Sequence, residues 1–343
     1  MKIKKNLMTL LSIISFIGIG FAQGSNVHAD DNPGQFSVKA IIPDNQVDKN
    51  VTYFDLLVTP DQEETIEFEV QNLANKDRTF DINVNPAITS DGGTIDYSQS
   101  NAKLDKTIPF DVRKYLKLDQ TKVTIKANST ARIPIKMSLP SKQFDGRVLA
   151  GVNVAPEDNE SSSSSSLNKS NTGTTIENRL AYTLAIVLQQ NTNKVEPNLN
   201  LVSANGKAYN SKPYVTMNFQ NPSGTIINDL KFSTKLYKDG KLYIKNDSNP
   251  FLVAPNTNFN LRLDLNGHTL EAGKYSAEVT AKNSEHTWKF KKSFTISDSQ
   301  AKDVNRNTVY DTNSNRWWIW LIVIIVVGAA GAGVYIYMKR RKK

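Results

Sequence analysis

Few residues of this chain are equipped for covalent chemistry. Of its three histidines, His28 lies near the N-terminus, leaving His268 and His286 beside Gly267 and Glu285 in turn-like segments. There is no cysteine, which removes thiolate nucleophiles, thiolate metal sites and disulfides together. No HExxH, GxSxG or phosphate-loop pattern occurs, so the inventory points away from an enzyme and implies no cofactor. Asp311-Thr312-Asn313-Ser314-Asn315 imitates the start of a calcium loop. Arg316 stands where the sixth-position glycine belongs, and Ile322 where a glutamate must close the loop, so no metal is expected. Binding chemistry is better served. Tyr53-Phe54-Asp55 puts aromatic faces for stacking on a sugar beside a carboxylate that accepts from hydroxyls, and Trp288 has the character of an interface anchor. Both segments also fit strands whose rings point into a core.

The elements that must position these residues show themselves by period-two alternation between residues 36 and 298. Ile66, Phe68 and Val70 alternate with Glu67 and Glu69, and Phe80, Ile82 and Val84 with Asp81 and Asn83. Ile133, Ile135, Met137 and Leu139 continue the pattern, with Pro134 predicting an edge or a bulge because it cannot donate to a ladder. Val148, Ala150, Val152 and Val154 complete a first set. A second set runs through Val215–Phe219, Leu230–Leu236, Leu242–Ile244, Phe259–Leu265, Tyr275–Val279 and Trp288–Ile296. Asp239-Gly240 predicts a tight hairpin, and Lys292 interrupts the last alternation as a bulge would. The fold class is all-β: two Ig-like β-sandwich domains in tandem, followed by a single C-terminal transmembrane α-helix.

The ends supply the address. Residues 1–29 read as a signal peptide, with Lys2, Lys4 and Lys5 before the apolar stretch Leu7–Ala22. Residues 317–338 are apolar or small throughout, about 33 Å of helix at ~1.5 Å per residue, and five cations at 339–343 hold the far side in the cytoplasm. No Leu-Pro-x-Thr-Gly precedes the span, so it is read as a retained anchor. The expected localisation is the cell membrane, single-pass, with an extracellular N-terminal ectodomain. The net charge of +9 belongs mostly to these ends. Without them 34 cations face 33 acids, which argues against nucleic acid as a partner. Within the ectodomain, 34–155 forms the first domain and 176–298 the second. Residues 156–175, with six consecutive serines, form either a disordered linker or a long hairpin loop whose return strand, near 180–188, closes the first sandwich. Residues 299–316 are expected to be a stalk.

Read in order, several short motifs resemble the WxL-interacting protein family of Gram-positive bacteria. They are Pro43-Asp44-Asn45-Gln46, Tyr53-Phe54-Asp55-Leu56, Asn85-Pro86-Ala87, Ile95-Asp96-Tyr97-Ser98, Phe144-Asp145-Gly146 and Ala150-Gly151-Val152-Asn153 in the first half. Val195-Glu196-Pro197, Gln220-Asn221-Pro222, Ala254-Pro255-Asn256-Thr257, Ala272-Gly273-Lys274-Tyr275 and Thr287-Trp288-Lys289-Phe290 follow in the second. Ala185 departs from the pattern, where a glycine is expected. The resemblance implies a peptidoglycan-binding first domain and a second that binds WxL-domain surface proteins or a host extracellular-matrix protein. The whole would be a non-enzymatic tether at the Gram-positive surface, and the family brings no catalytic residues.

Overall fold

The structure, a computed structural model, describes residues 35–157 and 181–308; the expected leader, serine run, membrane span and basic tail lie outside the described residues. Among the described residues no helix is long and apolar enough to cross a membrane.

The first half contains β1 (Phe36–Ile41), β2 (Phe54–Leu57), β3 (Glu63–Asn72), β4 (Arg78–Pro86), β5 (Ile88–Thr89), β6 (Ile95–Asp96), the short helix α1 (Val112–Tyr115), β7 (Leu116–Leu118), β8 (Lys122–Ile125), β9 (Thr130–Ser138), β10 (Arg147–Pro156) and β11 (Tyr182–Gln189). One sheet runs β1-β3-β9-β7 and the other β2-β11-β10-β4-β8. Their inward rows, including Phe36, Phe54, Phe68, Phe80, Ile135 and Val152, meet in one core. The second half contains β12 (Asn200–Tyr209), β13 (Lys212–Asn221), β14 (Ile227–Lys238), β15 (Lys241–Asp247), β16 (Phe251–Val253), β17 (Thr257–Asp264), β18 (Gly273–Lys282), β19 (Thr287–Ile296) and helix α2 (Asp298–Arg306). Its sheets run β12-β13-β17 and β15-β14-β18-β19, with β16 also on β14. They enclose a core around Phe219, Phe232, Phe259, Leu236 and Tyr275.

The two sandwiches repeat one plan. The antiparallel pairings β1-β3, β3-β9, β4-β8, β4-β10 and β10-β11 recur as β12-β13, β13-β17, β14-β16, β14-β18 and β18-β19. The two plans differ at one edge. In the first sandwich β2 pairs parallel with the free side of β11, Ile186↔Phe54 to Gln189↔Leu57. Its counterpart β19 has no such neighbour among the described residues.

Several expectations are decided by this topology. Strand β11 pairs antiparallel with β10 from Arg147↔Gln189 to Val154↔Tyr182, so residues near 182–189 belong to the first sandwich. The second sandwich therefore begins with β12, after residue 190, rather than at 176. Ala185 stands opposite Gly151 in that pairing. Pro134 lies on a strand flanked on both sides, but β7 covers only Ile135 to Met137, so no ladder is broken at the proline. Lys292 marks no bulge: β18 and β19 stay in register from Gly273↔Ile296 to Lys282↔Thr287. The hairpin at Asp239-Gly240 forms with both residues at positive φ, 48° and 79°, as a two-residue primed turn requires.

The start of the expected stalk is helical instead. Ser297 caps α2 by accepting from the Gln300 amide at 3.2 Å, and Asp298 complements the helix dipole. Ala301 and Val304, three apart, fall on one face and enter the second core. Asn305 then clips the helix to Leu270 through both its amide groups, at 2.9 and 2.8 Å.

Candidate functional site

The four residues singled out for binding are dispersed by the fold. Phe54 is fully buried in the first core, on the inward row of β2, and offers no face to a sugar. Tyr53, just outside the strand, is 37 % exposed. Asp55 points the other way from Phe54 yet is also buried, accepting from Gln189 Nε2 at 2.9 Å, while its amide donates to Gln46 Oε1 at 3.0 Å. Burial pushes the Asp55 carboxyl up, and the nearby Arg147 guanidinium opposes that rise. Trp288 is half-buried on the inward row of β19, with the His286 ring stacked on it at 5.4 Å.

Asp55 and Trp288, from different domains, nevertheless back onto one cleft of about 470 Å³ between the sandwiches. Gln189, which Asp55 holds, lines one wall with Arg147; His286, which lies on Trp288, lines the other with Lys194, Asn228 and Glu285. His286 Nε2 meets Glu196 Oε2 at 3.1 Å, and Lys194 reaches Glu196 at 3.1 Å. Lys194 first, and then His286, hold the Glu196 carboxyl below its ordinary value. Amides, hydroxyls and charges of both signs suit a polar ligand bound by hydrogen bonds. Among the described residues no group of three or more acidic or histidine side chains is placed to hold a metal.

The cleft exists because the sandwiches are joined by a packed junction. Ala87, Leu149, Val187 and Ala254 form its apolar centre, with Ile95, Tyr97 and Ile226 against them. Beside it, Thr89 and Thr257 hydroxyls meet at 2.6 Å and the Ala254 amide donates to Thr89 at 2.9 Å, both buried. Asp91 accepts from the Asn260 amide at 2.9 Å and from Arg262 at 2.5 Å, whose guanidinium lies over Tyr209. Gly146 and Gly224 bring two backbones into contact, the Arg147 amide donating to Gly224 O at 2.7 Å.

Several of the short motifs converge here. Tyr97 lies against Gly151, where a Cβ would sit 2.6 Å from the ring, and its carbonyl accepts from both Asn85 and Asn153. Burial pushes the Tyr97 phenol up to about 12, with Tyr53 adding to the effect. Gln220 and Asn258 of the second domain both donate to Asp105 of the first.

Asp105 gives the junction a titratable contact. Burial alone would raise its carboxyl, but hydrogen bonds from Thr107, Gln220 and Asn258 outweigh that and hold it below the ordinary value. A carboxylate lowered by folding stabilises the fold above the unfolded value near 3.9, and this contribution is lost as pH falls through the lowered value. Domain docking should therefore loosen below about pH 4. Limited proteolysis between residues 190 and 198 should quicken there, and Asp105→Asn should flatten that dependence.

The comparisons with known proteins bear on the same two halves. Residues 36–156 match the WxL Interacting Protein peptidoglycan binding domain, and residues 171–306 match the WxL Interacting Protein host binding domain. The second match begins early enough to include β11, the strand that completes the first sandwich. No curated protein sequence is significantly similar. Among solved structures, the CsuC-CsuE chaperone-tip adhesion subunit pre-assembly complex of Acinetobacter baumannii is matched at 12 % identity and a TM-score of 0.31, over 70 % of this chain and 98 % of that one. The E. coli chaperone DraB is matched at 10 % and 0.29, over 76 % and 95 %. The Pseudomonas aeruginosa CupB2 chaperone is matched at 10 % and 0.27, over 69 % and 97 %. The two family matches together span most of the chain, in the order of its two sandwiches, and the chain belongs to the WxL-interacting protein family.

Proposed function

We propose that this chain is a non-enzymatic, membrane-anchored surface protein that binds peptidoglycan through its first Ig-like sandwich and holds WxL-domain proteins through its second. The observation that carries this reading is the pairing of two binding-domain families on sandwiches joined by a buried junction. A load taken by one domain passes to the other through packed side chains instead of a loose tether. The apolar span 317–338 and its basic tail would fix the assembly in the membrane. Pull-down of the full chain with insoluble peptidoglycan and with a WxL-domain protein tests it. Retention by both is expected; binding to neither would refute the tether. The description of the second family as host binding favours one alternative, an adhesin for a host extracellular-matrix protein. That partner would be held by residues 191–308 with no need for peptidoglycan.

A further inference from the structure

The repeat between the sandwiches exposes an unfilled position. In the first, β2 lies parallel beside β11 and drops Phe54 and Leu56, both fully buried, into the margin of the core. In the second, no described strand occupies that place beside β19. The consequence is visible in the inward row of β19. Trp288, Phe290 and Phe294 face the core but remain half-buried, where the inward residues Leu184, Ile186 and Leu188 of β11 are buried. An open edge with incompletely covered aromatics is a template for another strand.

The charges around it describe that strand. On the outer face, Lys289 and Lys291 of β19 stand beside two cross-strand pairs of like charge, Lys231↔Lys282 and Lys235↔Lys245. Lysines directly opposed on a sheet repel one another. Glu278 stands between Lys291, which it meets at 3.0 Å, and Lys235, and Asp229 is 3.8 Å from Lys231; no acid stands directly opposite Lys245, Lys282 or Lys289. The matching face of the first sandwich, on β4, β10 and β11, carries no such pair: Asn83, Asn153 and Thr183 cross it in one row, and Asp81 stands opposite Lys122. Lys292, alone among the inward residues, puts a cation into the row. An inward lysine guards an open edge against indiscriminate pairing, and it does so by rejecting strands that bring only apolar groups to it.

We propose that β19 receives an extended segment of a partner protein, laid alongside it as β2 lies along β11. The segment's inward row is apolar except for one acid facing Lys292, and its outward row is acidic. This rests on the reading of the second domain as the protein-binding half, and it assigns that role to one edge. The lysines are not merely solvating, because a neutral polar row would solve that problem without the repulsion.

The test uses the full chain and a synthetic nine-residue peptide of alternating pattern. One face carries valines with a central glutamate, and the other glutamates and threonines. A second peptide replaces the central glutamate by lysine. Hydrogen exchange should show at least tenfold slowing at alternate amides of Thr287–Ile296 with the first peptide, and none with the second. Lys292→Glu should exchange the two preferences, a result that loss of folding cannot imitate. Protection elsewhere, equal binding of both peptides or no response at β19 would overturn the proposal. Pull-down by a WxL-domain protein that persists when the first peptide saturates β19 would also overturn it, while leaving the tether reading intact.

Discussion

Gly146→Ala should cost roughly 2–5 kcal/mol and separate the unfolding of the two sandwiches, because two penalties coincide at this position. Gly146 has φ +77°, where an L-residue loses about 1–2 kcal/mol to the contact of its Cβ with backbone. Its new Cβ would also lie 2.2 Å from Gly224 O and 2.7 Å from Gly224 C, atoms of the other domain's backbone that no rotamer change can move. The junction must open, and the Arg147–Gly224 hydrogen bond and the adjoining Ala87–Leu149–Val187–Ala254 contact go with it. Gly240 supplies the control: φ is +79°, but nothing lies within 4 Å of its added Cβ. Gly240→Ala should therefore show only the conformational part, with calorimetry retaining the wild-type transition shape. A Gly146→Ala scan with that same shape and a shift no larger than the control's would mean that the junction contributes little to holding the domains together.

What could be read from the sequence follows from how each element announces itself. Strands β3, β9, β17 and β18 alternate throughout, and β13 and β14 over most of their length, because one face meets a core and the other meets water. Strand β12 carries almost none. Asn200–Tyr209 has a register shift between Leu201 and Ser203 and leaves Val202 and Tyr209 exposed, so its pairing partner β13 supplies the order that its own pattern lacks. Strand β11 reads as strand, but its sheet depends on a pairing across the residues 158–180, which local sequence cannot specify. Helix α2 is only nine residues long and was hidden by its polarity; a cap at Ser297 with Ala301 and Val304 following was the available signal.

The candidate site was legible in parts and not as a whole. Phe54 and Asp55 are adjacent, and alternation sends them to opposite sides of one sheet, so the Phe54 ring and the Asp55 carboxylate could not serve one ligand. The cleft joins Arg147 and Gln189 to Lys194 and His286, residues whose proximity is a property of the junction. The junction was present in the sequence as the motifs Asn85-Pro86-Ala87, Gly151, Gly146 and Ala254-Pro255-Asn256-Thr257. Each looks like a turn in isolation, because a domain contact made by loops and strand ends has no periodicity of its own.

Asn72→Ala is expected to destabilise the first sandwich by about 3–5 kcal/mol, the second of the large effects, with Asn221→Ala doing the same to the second. Both asparagines are fully buried at the end of equivalent strands, each after a glutamine. Asn72 Oδ1 accepts from the amide two residues on, Ala74, at 3.0 Å, and Nδ2 donates to the carbonyl four residues on, Lys76, at 2.8 Å. Asn221 repeats this with Ser223 at 3.1 Å and Thr225 at 2.8 Å. Each then reaches a distant segment, Ile125 and Lys126 from Asn72, and Ala254 from Asn221. Alanine would leave those carbonyls and an amide buried without partners, at ~1–3 kcal/mol each where water cannot enter. Asn72→Asp separates this from a packing loss. It keeps the acceptor for Ala74 but sets a negative charge against three carbonyl oxygens, so folding raises that carboxyl's pKa. A carboxyl raised by folding penalises the fold above its raised value and not below the unfolded one, so Asn72→Asp should recover stability on acidification while Asn72→Ala should not. Urea unfolding at pH 7 and pH 5 would show it. Parallel behaviour of the two variants would mean that the side chain fills space at the strand end and the hydrogen bonds are incidental. A loss at Asn72 without one at Asn221 would mean that the duplicated strand end stabilises only the domain in which its distant partners are the two consecutive carbonyls of Ile125 and Lys126.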